Sequence, residues 1–517
     1  MADQIDTRIL PTMTIREKIG QLLHVGGIIG GVSADDEKIC AAISAGDVSG
    51  VYLGYPHFAN PEAAAEITAY LQALTSRPLF FAADFESGPG YNCADGCAHL
   101  PYLMGLGAID DPEATRRAGE ITAHQASAMG INWLYSPCVD VNLCRHNPII
   151  GIRGFGKTEP LVTRMGLAFI EGCRNAGVLC TAKHFPGTGN TESDTHLGPA
   201  HDLGDLETWE RETLPPFAAL IDAGVPVVMT GHAWAPFLDP HETAATFSRP
   251  VLTGILRDRL GFDGLIMSDS LVMEGAAPGT TIPERCVMAF EAGCDILLAS
   301  YDPGTMDAMM QALDSGRITM EQIDASVARI ERAHEWLGQQ TCGEICDADN
   351  AEARSIGRRS AQLHQGDGIP LQPGDYACVV QWRNDETQFF TREPGVLAHC
   401  QHALQRHDPS APLVAMTRLC PEAEHNRLLD AVAERPTVVV FAIVKNYAGD
   451  PHLGKFTDGT AQLIQKLIDA GKHVVVAVLG TPYAADQLPT NCTFICASGD
   501  SLGCADGLID LLTQDDA

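Results

Sequence analysis

Strand and helix signals alternate eight times through residues 1–340, and this alternation constrains the fold more tightly than any other feature of the chain. Apolar runs bounded by Gly, Pro and Asp place strands at residues 21–26, 50–55, 79–85, 131–141, 178–184, 225–232, 264–269 and 295–300. The segments between them open with helix-start residues. Asn60, Pro61 and Glu62 lead into AAAEITAYLQAL, residues 110–113 into ATRRAGEITAHQA, and Thr158, Glu159 and Pro160 into LVTRMGLAFIEGC. One more helix, around residues 305–336, ends the series. Crossovers between parallel strands are right-handed, so eight successive units close as a (β/α)8 TIM-like barrel. A doubly wound open sheet is the alternative, disfavoured because eight consecutive units in one sheet normally close.

Around residues 342–359 the periodicity fades into an acidic, Ala-rich segment, after which strands recur at residues 376–381, 412–417, 437–443, 473–479 and 493–497 with helices such as 458–470 between them. The expected organisation is a barrel over residues 1–340, a linker with a short helix over 341–370, and a smaller three-layer α/β domain over 371–517. That second domain has no P-loop and no G-x-G-x-x-G after a strand, so nothing in it supports nucleotide binding.

Charge narrows the partners. Lys and Arg total 34 against 66 Asp and Glu, a formal charge of −32, which repels phosphate backbones and anionic membranes. Neither nucleic acid nor a membrane is expected. No run of 18 apolar residues occurs, and residues 1–8 lack a basic region followed by an apolar core, so no export signal is expected. Seventeen Cys is an odd count, and Cys138, Cys180, Cys294 and Cys378 sit inside apolar runs, where a reduced thiol packs as a small hydrophobe. The cytoplasm is the expected compartment. Cys93/Cys97 and Cys342/Cys346 have a three-residue gap and no His at finger spacing, which favours spare thiols over zinc.

Barrels of this kind do their chemistry at the C-terminal ends of the strands, and ionisable residues collect there. The third strand ends in Asp84 and Glu86, the fourth runs to Asp140, the fifth ends in Lys183 and His184, the sixth in His232 and the seventh in Asp269. An Asp at a strand end often only caps the next helix, but five strands ending this way point to an active site. The loop after the fifth strand, KHFPGTGNTESDTH from Lys183 to His196, is the sharpest feature. In an extended segment residues i and i+2 project to one side, so Asp194 can hold one imidazole nitrogen of His196. Such a pairing fixes the tautomer and raises basicity, as general acid–base work requires.

That loop resembles the K-H-F-P-G-x-G-x4-D-[ST]-H signature of the β-N-acetylglucosaminidase branch of glycoside hydrolase family 3. GINWLYSPCVDV (130–141) is similar to the family's fourth strand, NPIIGIRGFG (147–156) to its N-P-x-I-G-x-R-x-F-G element, and GFDGLIMSDSLVMEG (261–275) to its nucleophile segment. GKHVVVAVLGTPY (471–483) resembles the smaller α/β domain that many members add. The resemblance implies Asp269 as nucleophile, His196 as general acid/base oriented by Asp194, and Asp84, Arg153, Lys183 and His184 as binders of the sugar hydroxyls. Asp140 stays outside this set as a structural carboxylate, and His232 stands between pocket wall and function. Two departures touch the implied site: the third strand reads DFESGPGY, without the Arg of the usual D-x-E-G-G-R-V, and Ser270 follows the nucleophile position where the branch commonly has Asp.

The implied activity is a retaining exo-β-N-acetylglucosaminidase acting on a small carbohydrate through a glycosyl-aspartate, with no cofactor and no metal. A phosphorylase or a β-glucosidase on the same scaffold and a non-catalytic sugar-binding protein are the alternatives. A metal-dependent barrel hydrolase would need clustered His, usually H-x-H on an early strand, whereas the first strand offers only His24. Homodimerisation is left open.

Overall fold

The computed structural model describes residues 13–26, 36–54, 58–93, 95–382, 394–445 and 454–514. Residues 1–8, read above for an export signal, and Tyr55, placed above in the second strand, lie outside them. No helix among the described residues is long and apolar enough to cross a membrane. None of the seventeen cysteines is joined in a disulfide.

The chain divides into two compact units. The first carries an eight-stranded parallel sheet: β1 (Leu23–Val25), β2 (Gly50–Tyr52), β3 (Phe80–Ala83), β4 (Trp133–Leu134), β5 (Leu179–Phe185), β6 (Val227–Thr230), β7 (Leu265–Met267) and β8 (Leu297–Ala299). Each pairs with its successor from β1 to β7, and β8 pairs with β1. The ring closes through a parallel bridge between Met267 and Ile296, with Ser268 N donating to Ile296 O at 2.9 Å and Leu271 N to Leu298 O at 2.8 Å. Buried Asp295 braces that closure by accepting from Ile266 N at 2.8 Å and Ser326 Oγ at 2.7 Å while pairing with Arg257 and Arg329. Removing one partner from such a buried charge costs about 3–5 kcal/mol.

Local chemistry starts the helices where the sequence placed them. Asn60 Oδ1 accepts from Ala63 N at 2.9 Å to cap Pro61–Ala73, and Thr158 precedes Glu159–Asn175. The last expected helix is two. Gly304–Asp314 stops at Gly316, whose φ of 76° a helix cannot continue through, and Thr319 with Gln322 forms the capping box that restarts the chain at Met320–Leu337. The fourth strand is two residues long rather than eleven. Beyond it Pro137 has no N–H to donate, and the chain keeps contact with β5 through isolated bonds, Thr181 N to Ser136 O at 2.9 Å, Lys183 N to Pro137 O at 3.3 Å and Val139 N to Lys183 O at 2.8 Å. Trp133, fully buried in the barrel, anchors the stub by donating from Nε1 to Thr181 Oγ1 at 2.8 Å.

The second unit is built on a six-stranded sheet in the order β11-β10-β12-β13-β14-β9, from β9 (Ala361–Gln365), β10 (Tyr376–Trp382), β11 (Leu413–Thr417), β12 (Thr437–Val444), β13 (His473–Gly480) and β14 (Thr493–Ala497). Five strands are parallel and β9 lies antiparallel on β14. Buried residues such as Val438, Val440 and Val476 point to one face and Val439, Phe441 and Val475 to the other, so both faces are covered and the strands read as continuous apolar runs. Within residues 341–370, expected as a linker with a short helix, lie the helix Asp347–Arg359 and, unexpected from the sequence, the edge strand β9. Residues 98–114 and 148–156, which fall inside the barrel's sequence, cluster with this unit. The helix Leu103–Ile109 is apolar nearly all round and joins it through Tyr102 N to Ser498 O at 2.8 Å and Gln362 Nε2 to Ala108 O at 2.7 Å.

Candidate active site

Glycine chemistry shapes the loop that leaves β5. Gly187 adopts φ 121°, and a Cβ there would meet Thr213 Cγ2 at 2.1 Å. A Cβ on Gly189 would stand 2.0 Å from the carbonyl oxygen of Val141. Any side chain at either position would displace the loop. Asn147 Nδ2 also holds it, donating to Thr188 O at 2.7 Å. At the far end, Asp194 Oδ1 accepts both the backbone N–H of His196 at 2.8 Å and its Nδ1 at 2.7 Å. Asp194 is buried and His196 half-buried, which leaves Nε2 as the ring's working nitrogen.

Asp140, set aside in the sequence as structural, is the hub beneath that loop. It is fully buried, and its Oδ2 accepts His184 Nδ1 at 2.7 Å, His184 N at 3.0 Å and Cys138 Sγ at 3.1 Å. Its Oδ1 accepts Thr188 N at 2.6 Å and Thr188 Oγ1 at 3.1 Å. Burial would raise this carboxyl, yet the facing His184 ring and these donors hold it below the usual carboxylate value. Cys138, Asp140 and His184 bring three ligand-type atoms within 4.8 Å of one another. The Asp140 lone pairs are spent on hydrogen-bond donors, so the cluster is wired as a hydrogen-bond hub rather than a cation cage.

With Nδ1 on Asp140, His184 turns Nε2 toward Asp269, 4.0 Å from Oδ2. Asp269 sits at the end of β7 and takes Ser270 N on Oδ1 at 2.7 Å. Burial pushes its carboxyl up, but His184 foremost, with the Ser270 N–H and His196, brings it below the ordinary value, so it is an anion at neutral pH.

On the β3 side, Lys183 bridges two carboxylates, 2.9 Å from Asp84 Oδ1 and 2.6 Å from Glu86 Oε1. Tyr52 donates its hydroxyl to Asp84 Oδ2 at 2.6 Å and stacks on Tyr135 with centroids 5.6 Å apart. Both oxygens of Asp84 are thereby oriented, and one third of its side chain stays exposed for a ligand. Phe85, with φ 22°, kinks the chain between the two acids.

His232 is buried and fully engaged. Nδ1 meets Thr246 Oγ1 at 2.9 Å and Nε2 meets the Ser270 carbonyl at 3.0 Å. Burial lowers its pKa, so the ring is neutral with Nε2–H donating to Ser270 and Nδ1 accepting from Thr246. Arg153 ends the short turn Gly151–Arg153 in the second unit, where its Nη1 donates to Ile149 O at 3.1 Å. The barrel therefore brings Asp84, Lys183, His184, Asp194, His196, His232 and Asp269 to the ends of its strands. It adds Tyr52, which the sequence reading did not single out, and gives Glu86 and Asp140, read there as strand-end acids but assigned no catalytic or binding role, their partners Lys183 and His184. His24, the one His of the first strand, is a core residue whose burial holds it near pKa 4.

The model of the glycosyl hydrolase family 3 N-terminal domain matches residues 14–333. A protein of Cellulomonas fimi named beta-N-acetylglucosaminidase/beta-glucosidase is 32% identical over 440 residues, spanning 83% of this chain and 69% of that protein. A beta-hexosaminidase of Nitrosomonas eutropha is 33% identical over 311 residues, 59% of this chain and 86% of its own. Among solved structures, a glycoside hydrolase family 3 beta-N-acetylglucosaminidase from Paenibacillus superimposes with a TM-score of 0.87 at 28% identity, covering 97% of both chains.

Proposed function

The chain belongs to glycosyl hydrolase family 3 and is a glycoside hydrolase acting on carbohydrate, and from that premise we propose that it is a retaining, exo-acting β-N-acetylglucosaminidase. The observation that carries this reading is the 2.7 Å contact between His196 Nδ1 and Asp194 Oδ1. It supports an imidazole, rather than a lone carboxylic acid, as the proton donor of the site. The beta-hexosaminidase name of the Nitrosomonas eutropha relative supports the acetamido sugar, and the Cellulomonas fimi relative is named for both the acetamido sugar and glucose.

The chemistry follows from the two groups. Asp269 attacks the anomeric carbon while His196 Nε2–H protonates the departing oxygen, giving a glycosyl-aspartate and the free aglycone. His196, now neutral at Nε2, takes a proton from water as that water's oxygen displaces Asp269, and the dyad is restored. Asp194 keeps Nδ1 protonated through both steps and stabilises the imidazolium. Asp84, Lys183 and His184 bind the sugar hydroxyls. His232 and Asp140 act one layer behind, the first on the peptide after Asp269 and the second on the His184 ring.

Initial rates on aryl β-N-acetylglucosaminide, β-glucoside and β-xyloside, each with and without phosphate, test the reading. The acetamido substrate leads, because a pocket that hydrogen-bonds an amide loses about 1–3 kcal/mol for each buried group left unpaired. A faster glucoside overturns the substrate assignment. Accumulation of a sugar 1-phosphate makes the enzyme a phosphorylase.

A further inference from the structure

The barrel unit has a second opening at the end opposite the catalytic groups. A cavity of about 240 Å³ lies between the starts of β5, β6 and β7 and one stripe of the helix Met320–Leu337. That stripe is Arg329, Arg332, Ala333 and Trp336, the i, i+3, i+4, i+7 face that packs on a barrel. The cavity opens to solvent beside Arg174 and Asp263, both exposed. Its floor is apolar, from Leu179, Leu265 and the ring of Trp336.

The charged rim is unbalanced. Arg329 and Arg332 share the exposed carboxylate of Asp263, and Arg329 also reaches Asp295. Arg174 donates to the Ala223 carbonyl and has no ion pair among the described residues. A guanidinium without a carboxylate partner is unexpected in a chain of net charge −32. One planar fork with open donors beside an apolar floor suits one carboxylate attached to a hydrocarbon body.

We propose that this cavity binds a small carboxylate with an aryl or alkyl body, the carboxylate on Arg174 and the body against Trp336 and Leu265. The site is separate from the sugar chemistry, so its occupancy is readable without turnover. Titration of the whole chain with 3-phenylpropanoate, followed by ligand-observed NMR and Trp fluorescence, should saturate below roughly 5 mM. Arg174→Gln should weaken binding about tenfold or more, as should replacing the acid by 3-phenylpropanamide, while the basal glycosidase rate stays unchanged. Ala333→Phe, which fills the cavity, should abolish binding. Equal affinity of acid and amide, unaltered binding in Arg174→Gln, equal competition by inorganic phosphate, or the absence of saturation would each overturn the proposal.

Discussion

His232 hands its Nε2–H to the carbonyl oxygen of Ser270 at 3.0 Å, and so fixes the far side of the residue that follows Asp269. The other face of that residue is fixed by Ser270 N on Asp269 Oδ1 at 2.7 Å. The carboxylate is therefore held from one side by its own neighbour and from behind by a neutral, buried imidazole.

His232→Phe keeps a ring in the space and removes both hydrogen bonds. Loss of a buried partner costs about 1–3 kcal/mol, so kcat should fall roughly ten- to a hundredfold, with a smaller change in KM. A variant that loses affinity while retaining kcat would place His232 on the sugar instead.

Tyr52→Phe leaves Lys183 on Asp84 Oδ1 and frees Oδ2. The carboxylate can then rotate, and KM for the aryl N-acetylglucosaminide should rise several-fold, worth about 1 kcal/mol. An unchanged KM would show that Lys183 alone orients Asp84.

His196→Ala should slow glycosyl transfer least for substrates with the most acidic leaving groups, since an activated aryl oxide departs without a proton. A Brønsted series on kcat/KM reads this directly. Equal losses across the series would make His196 structural.

Acid sensitivity of the fold should trace partly to His334. Its ring is stacked on Phe80 with centroids 3.9 Å apart, and burial lowers its pKa to about 4 from an ordinary value near 6.5. Between those values the unfolded chain binds more protons, so stability is full above about pH 6.5 and is lost as pH falls toward about 4. His334→Phe should flatten that slope and gain about 1–3 kcal/mol near pH 5 relative to wild type, read as Tm against pH. A parallel loss in both proteins would assign the sensitivity elsewhere.

The barrel was legible because its signal is periodic and local. Apolar runs, Pro at helix starts and acids at strand ends each report on their own neighbourhood. What escaped were features set by long-range pairing. Asp140 looked structural because its five donors come from Cys138, His184 and Thr188, which only the folded loop gathers. Tyr52 carried no sign of reaching Asp84 across two strands. The edge strand β9 has only Ala361 and Leu363 as apolar residues, is not buried, and exists through its antiparallel pairing with β14, so residues 361–365 read as linker. The joining of residues 98–114 to the second unit is likewise a tertiary fact, foreshadowed only by an apolar helix too uniform for a surface.

Trapping the intermediate tests the central claim most directly. A 5-fluoro-N-acetylglucosaminyl fluoride, followed by proteolysis and mass spectrometry, should leave one sugar on the peptide containing Asp269, and Asp269→Asn should abolish both the label and turnover while keeping the fold. A label on another carboxylate, or turnover that survives the substitution, would contradict it.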